Sequence, residues 1–354
     1  MGPESTSHPA PAAVPDPITG EVSVPRSGGT SRRRNEVKDQ AILALKGLAI
    51  IGVVSHHITN RRLDPTALEV LKAVPMAFHW CVLCFIALSG YLHALSDSRR
   101  PKGVGAFLWQ RGTRLLIPWV VLVFLYATVW QVLQSLHISG IGVRIPPGFI
   151  DKLTTSLWPV DQVAVVAEQL YYLPLLFGAS AVFICVRKLG LSAVWATLML
   201  TVMAGLLLFP GQYMMFRLGS FVWAIASYAA GYLLFRFRTN VSHVRLTLAV
   251  ATAVLIVYSG WYGLLGSIPF WLIAEGSNLR LGSIPGLASL GEAAGTIYIY
   301  HTPFMVQPLS VAAAHLPGWP LQVVGELVAG AIAIGICYLL HHGLKNTRAK
   351  FLLM

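Results

Sequence analysis

The chain has 354 residues, of which 55% are hydrophobic and only 11% are charged. A typical soluble domain carries roughly 25% charged residues, so this composition excludes a soluble globule, a disordered chain and a fibrous one. A transmembrane barrel would need alternating polarity, whereas the apolar runs here are continuous. We therefore predict an all-α polytopic membrane protein without a soluble catalytic domain.

The first forty residues differ in composition from the rest of the chain. They are rich in Pro, Ser and Gly without an apolar run, which predicts a disordered cytoplasmic tail over 1–40 and no signal peptide. Five basic and five acidic residues cancel there, so the net charge of +12 lies in 41–354. In a membrane protein such an excess reports loop orientation, and nucleic-acid binding is the weaker interpretation. We predict a transmembrane domain over 41–343 and a short basic cytoplasmic C-terminus over 344–354.

A transmembrane helix needs about 20 mostly apolar residues, and nine segments meet this requirement. They are 41–58, 76–95, 115–136, 162–186, 191–209, 217–235, 246–265, 285–308 and 320–342. The segment 267–280 is ambiguous because its apolar run is short. If it also crosses, 14 basic residues lie inside, excluding the tail, and 6 lie outside. That asymmetry predicts ten spans with both termini in the cytoplasm.

The four cysteines lie inside apolar stretches, at positions Cys81, Cys84, Cys185 and Cys337. The first two form a CxxC motif, but no second pair and no βαβ context accompany it. We interpret all four as buried free thiols and predict no metal site.

A lysine and a histidine lie ten residues apart in the first predicted span. Ten helical residues rise about 15 Å, which places Lys46 near the cytoplasmic entry and His56 toward the middle or outer half. Histidine is suited to proton transfer near neutral pH, so His56 is the candidate for this chemistry. On a continuous helix the neighbouring His57 would point about 100° away. The structural alternatives are a snorkelling lysine and a hydrogen-bonded histidine.

Further candidates follow in the next spans. Ser89 and Gly90 indicate close helix packing at least as strongly as a substrate contact. Arg111 and Arg114 share a helix face at i and i+3 and suit a phosphate at the cytoplasmic surface. Positive-inside anchoring and a lipid phosphate are the alternatives for this arginine pair.

Two more ionisable residues lie within predicted spans. Glu168 is the carboxylate of the fourth span, in a segment that also contains Tyr171, and a buried glutamate needs a partner or a raised pKa. His301 follows Tyr300 in the segment 285–308, where a hydrogen-bonded structural histidine is the usual alternative. Because ionisable groups within spans are costly, each is a functional candidate by default, and Tyr171 and Tyr300 are substrate or packing candidates.

These segments occur in the order found in the membrane acyltransferase 3 family, which the chain resembles over residues 41–305. The family motifs are an Arg-Gly-Leu-Ala segment with a His ten residues after the Arg, Phe-Phe-x-x-Ser-Gly-Phe/Tyr-Leu, Arg-x-x-Arg before a Pro, Glu-Gln-Phe-Tyr-Leu and Tyr-Leu-x-His-x-Pro. They match residues 46–56, 85–92, 111–114, 168–173 and 300–303. One departure is Lys46, which stands where the family has Arg and lacks the bidentate fork.

The resemblance implies transfer of an acyl group, commonly acetyl, from a cytoplasmic acyl-CoA to a hydroxyl of an extracytoplasmic or lipid-linked glycan. Arg111 and Arg114, together with Lys46, would bind the phosphates of the donor. His56 would act as general base, assisted by Glu168, and His301 could carry a second proton. Acetyl-CoA would be a co-substrate rather than a tightly bound cofactor. The protein would be surrounded by membrane lipid. The expected location is the bacterial cytoplasmic (inner) membrane.

The competing class is a non-enzymatic transporter or exporter of a small metabolite or lipid, since intramembrane Lys, His and Glu also serve proton coupling. The paired arginines at the inner edge favour the enzyme, because transport does not require them. Within the enzyme class, peptidoglycan, antibiotics and small amines or alcohols stay open as acceptors.

Overall fold

The computed structural model describes residues 28–58, 63–78, 80–135, 148–157, 168–208, 218–276, 278–302 and 305–347. Within these ranges the secondary structure is helical without any strand, which confirms the all-α class. The first seven helices are α1 (Gly28–Ser55), α2 (Pro65–Ala77), α3 (Cys81–Arg99), α4 (Val104–Ser135), α5 (Phe149–Leu157), α6 (Tyr172–Lys188) and α7 (Leu191–Leu208). The next seven are α8 (Leu218–Phe237), α9 (Val241–Ser259), α10 (Trp261–Glu275), α11 (Leu287–Glu292), α12 (Ala294–Tyr300), α13 (Val306–Ala314) and α14 (Trp319–Leu344).

Six of these helices are long and apolar enough to cross a membrane, namely α3, α4, α7, α8, α9 and α14. Shorter apolar stretches occupy 40–55 of α1 and 263–275 of α10. The long helices α7 and α9 bury almost none of their surface inside the protein, so their apolar side chains are available to lipid. The chain is therefore a helical membrane protein, and the count of ten spans stays a prediction.

The segment 285–308, predicted as one span, is instead divided into α11, α12 and α13. The helix breaks after Tyr300, and the next residues include the Thr302–Pro303 pair. A residue that precedes proline is disfavoured in helical conformation, which accounts for the break. His301 therefore lies at a helix end rather than in the middle of a continuous span.

Other boundaries also differ from the prediction. Residues 267–275 of the ambiguous segment belong to α10, which begins at Trp261 and forms a hairpin with α9. Gly260 turns the chain between them with φ 59°, a left-handed conformation that favours glycine. Residues 162–167 of the fourth predicted span lie outside the described residues, and the rest of it forms a 3₁₀ turn at Glu168–Tyr171 and most of α6. Helix α1 begins at Gly28, so its first turns fall within the segment predicted as a disordered tail.

Glycine residues allow close contact in two pairs of helices, α3 with α8 and α1 with α11. A Cβ added at Gly90 of α3 would lie 2.0 Å from the Tyr228 carbonyl oxygen of α8, and one at Gly231 would lie 1.9 Å from the Ala87 oxygen. The same relation joins α1 and α11, where a Cβ at Gly291 would lie 1.8 Å from the Leu43 oxygen. Close backbone approach of this kind is how small residues stabilise helix pairs in membranes. Gly90 is thus a packing residue.

Candidate active site

A pocket of about 420 Å³ opens between α1, α3, α4, α6, α11 and α12. This volume lies within the range of roughly 300–1,000 Å³ that ligand sites occupy. Its lining combines apolar and aromatic side chains with a cluster of charges. The residues used below are Lys46, Ser89, His93, Asp97, Lys102, Phe107, Gln110, Arg111, Arg114, Tyr172, Glu292 and Tyr298.

Four cationic side chains line this pocket against two carboxylates. Lys46 of α1 lies within electrostatic range of Arg111 and Arg114 of α4, and these three residues are called the cationic triad below. Arg187 pairs with one of the two carboxylates, Asp97. The triad is therefore left without a full set of counter-charges, and such an arrangement attracts an anionic ligand.

The position of the triad follows from the local packing. Lys46 is followed by Gly47, where an added Cβ would lie 2.0 Å from the Leu287 carbonyl oxygen of α11. This contact draws α1 against α11 and leaves Lys46 at the pocket wall. Arg111 and Arg114 occupy the third turn of α4, one helical turn apart, and therefore face the same pocket.

A chain of polar contacts holds Arg111 in place. Its Nη2 donates to the Tyr228 hydroxyl at 3.5 Å, and that hydroxyl lies 2.9 Å from Nδ1 of His93. The tyrosine hydroxyl can donate to Nδ1 while its oxygen accepts from arginine, an arrangement in which the ring proton is on Nε2. Nε2 lies 3.4 Å from the Asp97 carboxylate. His93 also stacks on Phe107 with ring centroids 4.3 Å apart.

A second group of ionisable side chains lies at the C-terminal end of α1, about 14 Å along the helix from Lys46, and comprises His56, His57 and His301. The rings of His57 and His301 meet edge to face with centroids 5.0 Å apart. His301 is fully buried, and its Nδ1 lies 2.8 Å from the Ile297 carbonyl oxygen. A carbonyl only accepts, so Nδ1 carries the proton and Nε2 retains the lone pair. Among the described residues this Nε2 has no hydrogen-bond partner, as a proton acceptor requires.

Aromatic side chains connect the pocket to these histidines. Tyr172 and Tyr298 both line the pocket, with ring centroids 5.2 Å apart. The ring of Tyr298 lies 6.3 Å from that of His301. The Ser89 hydroxyl, which also lines the pocket, donates to the Phe85 carbonyl oxygen of its own helix at 2.9 Å. A ligand that enters between the cations would therefore lie along aromatic side chains that extend to His301.

A family model described as an acyltransferase domain matches residues 39–342. The chain belongs to the membrane acyltransferase 3 family. No curated protein and no solved structure matches the chain at a significant level. The family match covers the helices that build both the pocket and the histidine group. The protein is thus a membrane acyltransferase, and the alternative of a non-enzymatic transporter is set aside.

The structure of this acyltransferase brings some of the predicted site residues together and separates others. Lys46, Ser89, Arg111 and Arg114 line one pocket. The remaining candidates, Gly90, Tyr171, Tyr300, His56 and His301, are not among the residues that line it. The Glu168 side chain lies outside the described residues, although its backbone begins a 3₁₀ turn that packs against α12.

The angle of about 100° predicted between the side chains of His56 and His57 assumes that helix α1 continues through both residues. Helix α1 ends at Ser55, and both histidines lie in the turn that follows it. The His56 amide donates to the carbonyls of Gly52 and Val53 at 3.3 and 3.2 Å. The backbone thus keeps a helical hydrogen bond at His56, and of the two histidines it is His57 whose ring meets that of His301.

Sequence reasoning missed several polar residues of the bundle. His93, Asp97 and Lys102 line the pocket, and Glu326 of α14 is fully buried beside the Ser310 hydroxyl. His93 and Glu326 each lie inside a predicted span, so the cost of an ionisable group in lipid could have identified both. Asp97 and Lys102 follow the second predicted span, where the sequence offers no comparable signal.

Proposed function

We propose that this acyltransferase moves an acyl group, acetyl in the simplest case, from a cytoplasmic acyl-CoA to a hydroxyl of an extracytoplasmic or lipid-linked glycan. The observation that carries the proposal is the pocket with its cationic triad. Coenzyme A presents phosphates at one end and its thioester at the other. Arg111 and Arg114 suit phosphate oxygens because each guanidinium donates several hydrogen bonds in a fixed plane.

The position of the histidines fits the opposite end of such a donor. Lys46 and Ser55 are nine helical residues apart, which is about 14 Å along α1. The pantetheine arm would lie between these levels, along Tyr172 and Tyr298, with the phosphates at the triad. The acceptor hydroxyl must lose its proton as its oxygen attacks the thioester carbon. We assign that step to His56 as general base, with His301 and its available Nε2 as a second proton carrier.

The balance of the reaction is simple. The bond from the acyl carbon to sulfur breaks, and a bond from this carbon to the acceptor oxygen forms. The proton taken from the hydroxyl ends on the coenzyme A thiolate, so no external acid or reductant is needed. Direct transfer is the simpler scheme, because the motifs contain no nucleophile segment for an acyl-enzyme.

The proposed orientation places the pocket mouth at the cytoplasmic face, and both termini with it. Three exposed tryptophans lie where an interfacial aromatic belt would then run, with Trp109 near the inner ends of the helices and Trp261 and Trp319 at the outer ends. Location in a bacterial cytoplasmic membrane is part of the same proposal.

Cysteine labelling tests this orientation in intact cells. Cys185, predicted to be buried with the other three cysteines, is exposed, so the labelling uses a Cys185→Ser background. There Lys102→Cys and Lys345→Cys should resist a membrane-impermeant maleimide, whereas His315→Cys, between α13 and α14, should react. Basic loop residues stay on the cytoplasmic side during insertion, which gives this pattern. Reaction of Lys102→Cys from outside would overturn the orientation.

Acyl transfer is tested with the purified protein and with its glycan. The protein in detergent should release free coenzyme A from acetyl-CoA in the presence of an acceptor. Surface glycans from a strain lacking the gene should lose an ester that mass spectrometry detects in the parent. An unchanged glycan would show that the glycan is not the acceptor. The absence of thiol release with every acceptor tested would show that acyl-CoA is not the donor.

A further inference from the structure

The pocket contains a fourth cation that the cationic triad does not include. Lys102 lies in the loop between α3 and α4 and lines the pocket. Its Nζ donates to the side-chain oxygen of Gln110 on α4. The ammonium group is therefore held against α4 instead of extending into solvent from its loop.

The loop that carries Lys102 is itself fixed to the bundle. Arg187 of α6 pairs with Asp97 at the end of α3, and its Nη2 lies 3.5 Å from the Lys102 carbonyl oxygen. One guanidinium thus joins α6, α3 and the loop backbone. A lysine that only oriented the protein at the inner face of the membrane would not need these contacts, since a freely solvated lysine would serve that purpose.

Lys102 extends the cationic lining of the pocket toward the start of α4. Gln110, which holds the lysine, directly precedes Arg111 and lies four residues, or about 6 Å along α4, before Arg114. Along α4 the order of the cations is therefore Lys102, Arg111 and Arg114, and Lys102 is the one nearest the start of the helix.

Coenzyme A carries phosphate at two positions, a diphosphate toward the pantetheine arm and a monoester on the 3′-oxygen of the ribose. We propose that the cationic triad binds the diphosphate and that Lys102 binds the 3′-phosphate, so that the enzyme distinguishes coenzyme A from its 3′-dephospho form. A phosphate monoester carries a charge of about −1.5 to −2 at pH 7. The compact ammonium of lysine suits such a concentrated charge. This inference rests on the proposed acyl-CoA donor.

The test compares two donors within each variant. Acetyl transfer by the full chain in detergent is measured with acetyl-CoA and with 3′-dephospho-acetyl-CoA, for the wild type, Lys102→Gln and Arg100→Gln. Arg100 is the matched control, because it lies in the same loop and is exposed but does not line the pocket. The preference is the ratio of the two kcat/KM values, so partial loss of folded protein cancels within each variant.

The wild type should prefer acetyl-CoA by about 10-fold or more, as expected for one hydrogen bond to a charged group. Lys102→Gln should lose a similar factor with acetyl-CoA and show no preference between the donors, and Arg100→Gln should keep the wild-type preference. A full preference retained in Lys102→Gln would overturn the assignment of Lys102. Transfer without any preference in the wild type would overturn recognition of the 3′-phosphate and leave the proposed function intact. Failure of the wild type to use or bind either donor would overturn the proposed function itself.

Discussion

Replacement of Arg111 and Arg114 together with Gln is expected to weaken binding of coenzyme A by about 100-fold or more. Each hydrogen bond to a charged group contributes about 1.5–3 kcal/mol, and both guanidiniums line the same pocket beside Lys46. Gln keeps part of the side-chain volume, so the change is mainly one of charge. Titration calorimetry of the purified protein with coenzyme A measures the affinity without any need for turnover.

A matched control separates donor binding from membrane anchoring. Arg236 is an exposed arginine in the last turn of α8 and does not line the pocket. Arg236→Gln should bind coenzyme A as the wild type does. The variant Arg111→Lys should show an intermediate affinity, because it keeps the charge and loses the planar donors. Unchanged affinity in the double variant would reassign the arginine pair to lipid phosphate.

The sequence was sufficient for those parts of the fold and site that depend on local patterns. Continuous apolar runs predicted the helical membrane class, since backbone groups in lipid must be satisfied within the helix. The i and i+3 spacing of Arg111 and Arg114 predicted a shared face, and the structure places both in one pocket. These inferences succeed because they use only helical geometry and the cost of burial.

Features that depend on contacts between distant segments were not predictable in this way. The chain of polar contacts from Arg111 to His93 includes Tyr228, which is 117 residues from Arg111 in the sequence. Neither tyrosine nor histidine indicates such a partner from its own surroundings. The contact between His57 and His301 likewise depends on where two helices end, α1 at Ser55 and α12 at Tyr300. Apolar residues continue through both helix ends, and only Pro303 marks the second of them in the sequence.

Substitution of the histidines is expected to have the largest effect on turnover. Loss of a general base typically lowers the rate by about 10²- to 10⁴-fold, and we expect a loss in this range for His56→Ala, with coenzyme A affinity unchanged. Donor binding should persist because Lys46 of the cationic triad lies about 14 Å from the end of α1, where His56 follows. A histidine that only packs would instead lower the melting temperature and leave turnover near normal.

The contact between His57 and His301 calls for a variant that separates ring packing from proton transfer. His57→Phe keeps an aromatic ring against His301 and removes both nitrogens, so we expect its turnover to stay within about 10-fold of the wild type if the contact is packing alone. His301→Gln removes the imidazole whose Nε2 is available and should fall between His57→Phe and His56→Ala. Acetyl transfer in single-turnover mode, with thermal melting of each variant, measures these effects. Near-normal turnover in His56→Ala would contradict the mechanism, and a larger loss in His57→Phe would transfer the role of base to His57.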